Sequence, residues 1–149
     1  MPNKFYLLII LVHLVIISSQ YINIDIENFD KEIFSSKEIS LIEFYSERCS
    51  TCQEFSPIWD NLMQKLPHIK IGRVNIDHQK GMNLAQRLNA LNNGIPCIKI
   101  FYGQDKNEDI MNGTEDPFPS IEQLKARIDK VLKKLGKFIE GKYIINEEL

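Results

Sequence analysis

Two cysteines three positions apart, Cys49 and Cys52, stand where a dense apolar run gives way to a helical pattern. The run, residues 39–45, reads Ile-Ser-Leu-Ile-Glu-Phe-Tyr. β-Branched and aromatic residues this closely spaced predict a strand covered on both faces. Glu43 is then an acid in the middle of a buried strand. From Ser50 to Leu66 the apolar residues Phe55, Ile58, Trp59, Leu62, Met63 and Leu66 recur at helical spacing. Pro57 interrupts that helix and Pro67 stops it. The C-x-x-C therefore falls on a strand-to-helix turn, which narrows the fold before any other feature is considered.

The flanking sequence continues the alternation. Residues 21–26 read as a short strand and 27–35 as a short helix carrying Phe29 and Ile33. Residues 69–76 read as a strand, 81–91 as a helix, and 95–102 as a strand. Residues 103–107 are a polar turn and 108–112 a weak edge strand. Ser120 opens a last helix to about Leu135, with Gln123 placed for a capping box. Helices alternating with strands, then a closing hairpin, predict an α/β fold: a mixed central sheet with helices on both faces.

The chain has 149 residues, room for one ordinary domain, and a net charge of −2. With no basic excess, nucleic acid is not an expected partner. Three cysteines are too few for a disulfide-stapled scaffold. A single C-x-x-C with isolated His68 and His78 does not suggest a metal site. Redox chemistry fits better. Unpaired N–H groups and the helix dipole stabilise an anion at a helix start, so Cys49 gains as a thiolate. Cys52, one turn later, is placed to attack a mixed disulfide at Cys49. A static bridge between the two is the alternative.

These residues resemble the thioredoxin fold, and in particular a catalytic domain of protein disulfide isomerase, over about residues 22–135. Glu43 lies six residues before Cys49, at the family's buried acid. Pro57 lies five after Cys52, at its helix-kinking proline. Gly94-Ile95-Pro96 matches its cis-proline segment, and Arg73 falls where the family has a lysine. The resemblance implies Cys49 as nucleophile, Cys52 as resolving thiol and Glu43 as proton relay, its pKa raised by burial and that rise opposed in part by Arg73. It implies Ile95 and Pro96 at a substrate-peptide groove and no dissociable cofactor. Partners would be cysteine-containing secretory polypeptides and a redox partner or glutathione. A weakly or non-catalytic client-binding or escort module is the alternative function.

Several positions depart from the pattern. Ser50-Thr51 replaces the usual Gly-His or Gly-Pro, which predicts a less stabilised thiolate. Arg48 replaces the usual Trp and either restores positive charge near Cys49 or is simply solvated. Thr114 and Glu115 occupy the loop where isomerase domains often carry an arginine. Cys97 follows the proline where Thr is commoner, and reads by default as a buried, inert thiol, with a role near the active site in trapping a disulfide or a metal as the alternative.

The remaining signals concern location. Residues 5–17 are apolar apart from His13, with Lys4 before and Ser18, Ser19 and Gln20 after. This predicts a secretory signal over residues 1–20, too short for a stable membrane span; an uncleaved anchor is the alternative. Residues 21–137 would be the thioredoxin-like domain and 138–149 a tail. Its end, Asn146-Glu147-Glu148-Leu149, resembles the K-D-E-L retrieval signal. Asn112-Gly113-Thr114 is a glycosylation sequon. Together they predict the endoplasmic-reticulum lumen, with secretion as the alternative.

Overall fold

A computed structural model describes residues 21–146. The expected signal at 1–20 and the last three residues of the expected retrieval tail lie outside the described residues. Five strands, β1 (Ile22–Asn23), β2 (Ser40–Tyr45), β3 (Lys70–Asn75), β4 (Cys97–Phe101) and β5 (Asn107–Met111), form one sheet. Its order is β1-β3-β2-β4-β5. β3 pairs in parallel with β1 and β2, whereas β4 pairs antiparallel with β2 and β5. The mixed sheet with a closing hairpin is as expected. Three α-helices flank it: α1 (Ser50–Gln64), α2 (Gln79–Arg87) and α3 (Ile121–Leu135).

The two faces carry separate apolar cores, because successive strand residues point to opposite sides. Leu41, Ile98 and Ile100 pack with Phe55, Trp59 and Leu62 of α1 and Leu124 and Ile128 of α3. Ile42, Phe44, Val74 and Cys97 pack on the other side with Phe29, Leu84 and Ala85. β2 is thus covered on both faces, and Glu43 is fully buried on the α1 side. The capping box that opens α3 is formed: Ser120 Oγ accepts from Gln123 N–H, and Gln123 Oε1 accepts from Ser120 N–H.

Three local expectations differ. The ladder of β1 spans two residues rather than six, although Ile24 N–H still bonds the Arg73 carbonyl. The expected first helix is one π-helical turn, Asp30–Phe34, because Ser35 N–H reaches back five residues to Asp30 O. The expected tail is, up to Ile145, a hairpin of β6 (Gly136–Ile139) and β7 (Lys142–Ile145). Glu140 and Gly141 both have positive φ, 50° and 81°, which is the two-residue turn that matches the twist of paired strands. The hairpin docks on the domain: Ile39 N–H bonds Tyr143 O, and Tyr143 and Ile145 pack against the α1-side core.

Candidate functional site

The chain leaves β2 at Tyr45 and turns into α1 within four residues. Asp77, just past the end of the parallel strand β3, braces that turn. Its carboxylate accepts from Ser46 Oγ and from Glu47 N–H, each at 2.8 Å, and Ser46 Oγ accepts from Arg48 N–H at 3.0 Å. These bonds, led by the one from Ser46, hold the Asp77 carboxyl below its ordinary pKa. Cys49 follows with extended backbone and caps α1; its Sγ accepts from Cys52 N–H at 3.2 Å.

All three cysteines are free thiols. Cys52 Sγ lies 2.7 Å from Cys49 Sγ and donates to it, and Thr51 Oγ1 stands 3.0 Å from the same sulfur. Burial alone would raise the Cys49 pKa. Hydrogen bonds from Cys52 Sγ, Thr51 Oγ1 and the two backbone N–H groups outweigh it, so Cys49 is lowered. Cys52 is pushed up to about 12, first by burial, then by its bond to Cys49, with the Glu43 charge adding to the rise. The two sulfurs of one turn are thus driven apart in acidity. Thr51 supplies a donor where the family's histidine is missing. The charge of Arg48, which is exposed, falls on Asp77, and the groups that lower Cys49 are neutral donors.

The Ile95–Pro96 peptide is cis, as expected, and so is Asp116–Pro117. Thr51 Oγ1 lies 3.5 Å from Ile95 O, so the C-x-x-C turn abuts the proline segment. Gly94, at φ 77°, precedes it, and the backbone of Gly113 lies against Gly94: a Cβ on Gly113 would sit 2.3 Å from the Gly94 carbonyl carbon. Asn112, one residue before that contact, is half-buried at the end of β5.

Glu43 and Arg73 are register partners on β2 and β3, and Arg73 Nε donates to Glu43 Oε2 at 2.6 Å. Oε1 is buried with no partner. Burial raises the Glu43 pKa to about 7, against the lowering effect of Arg73. A carboxyl poised near neutrality with one open oxygen can take or give a proton. The Arg73 guanidinium lies over two rings, with its carbon 4.1 Å from the Tyr45 centroid and 5.2 Å from that of Tyr21. An opening of about 330 Å³ among Tyr21, Tyr45, Arg73 and Gln53 reaches Cys52.

Cys97 belongs to the other core. Its thiol donates to Ala90 O at 3.2 Å, and burial pushes its pKa up to about 12. The thiol is buried, as the default expectation has it. Asp77, Thr51 and the two tyrosines were missed from sequence. Tyr45 could have been found, since it lies two residues from Glu43 and so on the same sheet face. Among the described residues, no three His, Cys, Asp or Glu side chains gather as a metal site would require, and no helix is long and apolar enough to cross a membrane.

Comparison with known proteins agrees with this geometry. The Thioredoxin family profile matches residues 20–130. A Thioredoxin of Chlamydia pneumoniae is 44% identical over 82 residues, 55% of this chain and 72% of that protein. Protein disulfide-isomerase A6 of Mus musculus is 33% identical over 99 residues, 64% of this chain and 21% of that protein. Protein disulfide isomerase-like 2-3 of Oryza sativa subsp. japonica is 30% identical over 102 residues, 68% of this chain. The chain spans about a fifth of the length of those two isomerase relatives. Among solved structures, the J-Trx1 fragment of ERdj5 superposes with a TM-score of 0.60 at 25% identity, covering 75% of this chain and 50% of that one. A C-x-x-C capping a helix beside a cis-proline, over a buried acid, in a chain matched along this length, places the protein in the thioredoxin family of thiol–disulfide oxidoreductases.

Proposed function

We propose that the protein exchanges disulfides with secretory polypeptides in the endoplasmic-reticulum lumen, as an isomerase-like oxidoreductase. The observation that carries this is the split pair: Cys49 lowered at a helix cap, and Cys52 raised to about 12 within 2.7 Å of it. The Cys49 thiolate attacks one sulfur of a client disulfide, forming a Cys49–client disulfide and expelling the other client sulfur as thiolate. Cys52 then loses its proton to Glu43 and attacks Cys49 Sγ. The Cys49–client bond breaks, the Cys49–Cys52 disulfide forms, and the second client sulfur leaves. The client gains two electrons and the chain loses two. The reverse sequence oxidises a client, with glutathione or a protein thiol–disulfide partner resetting the pair. Ile95 and Pro96, which lie against the turn at Thr51, would seat the client backbone.

The test is refolding of a scrambled disulfide protein by the purified domain. Activity at background level would sink the enzymatic reading. Cys49→Ser is expected to be inactive, and Cys52→Ser to accumulate mixed disulfides with clients. The neutral donors around Cys49 favour a second reading, a client-binding module that turns over slowly; it predicts client capture without refolding. For location, deletion of Glu147, Glu148 and Leu149 is expected to release the protein into the medium. Continued retention would refute a retrieval role for the tail.

A further inference from the structure

The arginine beside the buried acid needs something to keep it there. Arg73 lines both the opening of about 330 Å³ at Cys52 and a neighbouring groove of about 800 Å³, so its head has open space to swing into. A guanidinium is weakly hydrated at its faces and stacks on aromatic rings, which an ammonium does less well. Here the sheet gathers the rings. Asn23 on β1, Glu43 on β2 and Arg73 on β3 are in register. Tyr45 lies two residues after Glu43 and so shares the face of Arg73, and Tyr21, in the bend before β1, packs on the same side of the sheet. Both ring centroids fall within cation–π range of the guanidinium carbon. Tyr21 hydrogen-bonds it as well.

We propose that Tyr45, assisted by Tyr21, is a positioning residue for the proton step. Its ring pins the Arg73 guanidinium so that Nε stays on Glu43 Oε2 and Oε1 remains the open proton-accepting atom. The proposal rests on Glu43 taking the Cys52 proton. Burial raises Glu43, Arg73 from β3 lowers it and Asp60 from α1 adds to the rise, while the Glu43 charge is felt in turn by Tyr45 on its own strand, Cys52 on α1 and Cys97 on β4. Arg73 is the cation that opposes the effect of burial, so its placement governs how much of that rise is held back. An adjacent opposite charge lowers a carboxyl pKa by about 1–3 units. Releasing Arg73 into the groove therefore moves Glu43 upward.

The experiment follows the two-phase reaction of the reduced full chain with 5,5′-dithiobis(2-nitrobenzoate). Cys49 attack releases one thionitrobenzoate and leaves a mixed disulfide. Cys52 attack on Cys49 releases the second, and the rate of that phase is recorded against pH. The unmutated protein is expected to show an inflection near pH 7. Tyr45→Leu is expected to raise that inflection by about one unit, and Tyr45→Phe, which keeps the ring, to leave it in place. Arg73→Gln should shift it as Tyr45→Leu does, with no further shift in the double variant. Tyr21→Leu, at the sheet edge, should move it the same way and guards against misfolding of the Tyr45 variant. An unmoved inflection in both tyrosine variants would overturn the proposal. A Glu43→Gln protein that keeps the inflection would instead overturn the proton-relay reading beneath it.

Discussion

Thr51 shows how much a single hydroxyl carries at this site. It stands 3.0 Å from the sulfur that must become an anion, and a hydrogen bond to a charged group contributes about 1.5–3 kcal/mol. Thr51→Val keeps the shape and removes the donor. The Cys49 pKa is expected to rise by about one unit, read from the pH dependence of iodoacetamide alkylation; an unchanged profile would mean that the backbone and Cys52 donors suffice. Glu43 makes the opposite demand, on stability. Its folded pKa, about 7, lies above that of an unfolded carboxyl. Its contribution is therefore fully present below the unfolded value and is lost as pH rises through about 7. A shift of this size corresponds to about 3 kcal/mol. Urea unfolding at pH 4.5 and pH 8 should show the unmutated protein losing about that much more stability than Glu43→Gln over this interval. Glu43, Arg73 and Pro96 could be read from spacing and resemblance. Thr51 could not, because its value lies in a rotamer and a distance.

The strands, helices and turns were legible wherever periodicity ran unbroken. The strand, turn and helix around the cysteines were placed within two residues, and Ser120 and Gln123 announced the start of α3. Asp77 was hidden because its partners are some 30 residues away. It reaches them because β2 and β3 run parallel and finish at the same end of the sheet. The Gly94–Gly113 contact is similar: two loops whose backbones touch leave no trace in either local pattern. Gly113→Ala puts a methyl into that contact against backbone atoms that cannot yield as a flexible side chain would. The expected outcome is a loss of about 1–3 kcal/mol and slower exchange with a peptide disulfide, with the Cys49 alkylation profile unchanged. A normal exchange rate would show that the proline segment tolerates displacement.

At the scale of the whole molecule, the hairpin after α3 is what the sequence reading lacked. Five lysines between 130 and 142 make the stretch look like a solvated tail and mask the turn signal of Glu140-Gly141 between Phe138-Ile139 and Tyr143-Ile144. In the fold, Tyr143 supplies the partner for Ile39 N–H and Ile145 N–H reaches Lys37 O, while Phe138 and Ile139 stay exposed. Truncation after Leu135 uncovers Ile39 and strips the partly buried Tyr143 and Ile145 from the core. A loss of about 2–3 kcal/mol is expected in chemical denaturation, with Cys49 alkylation unaffected.

The docking also gives the molecule two poles. The hairpin is tied to residues just before β2, and Cys49 stands just after it, so the strand's length of about 20 Å separates them. Asn146, bonded to Leu135 O, delivers the chain at the pole away from the sulfurs. The hairpin and the sulfurs thus face opposite ways, and a client held at Cys49 would leave the hairpin open to a second contact.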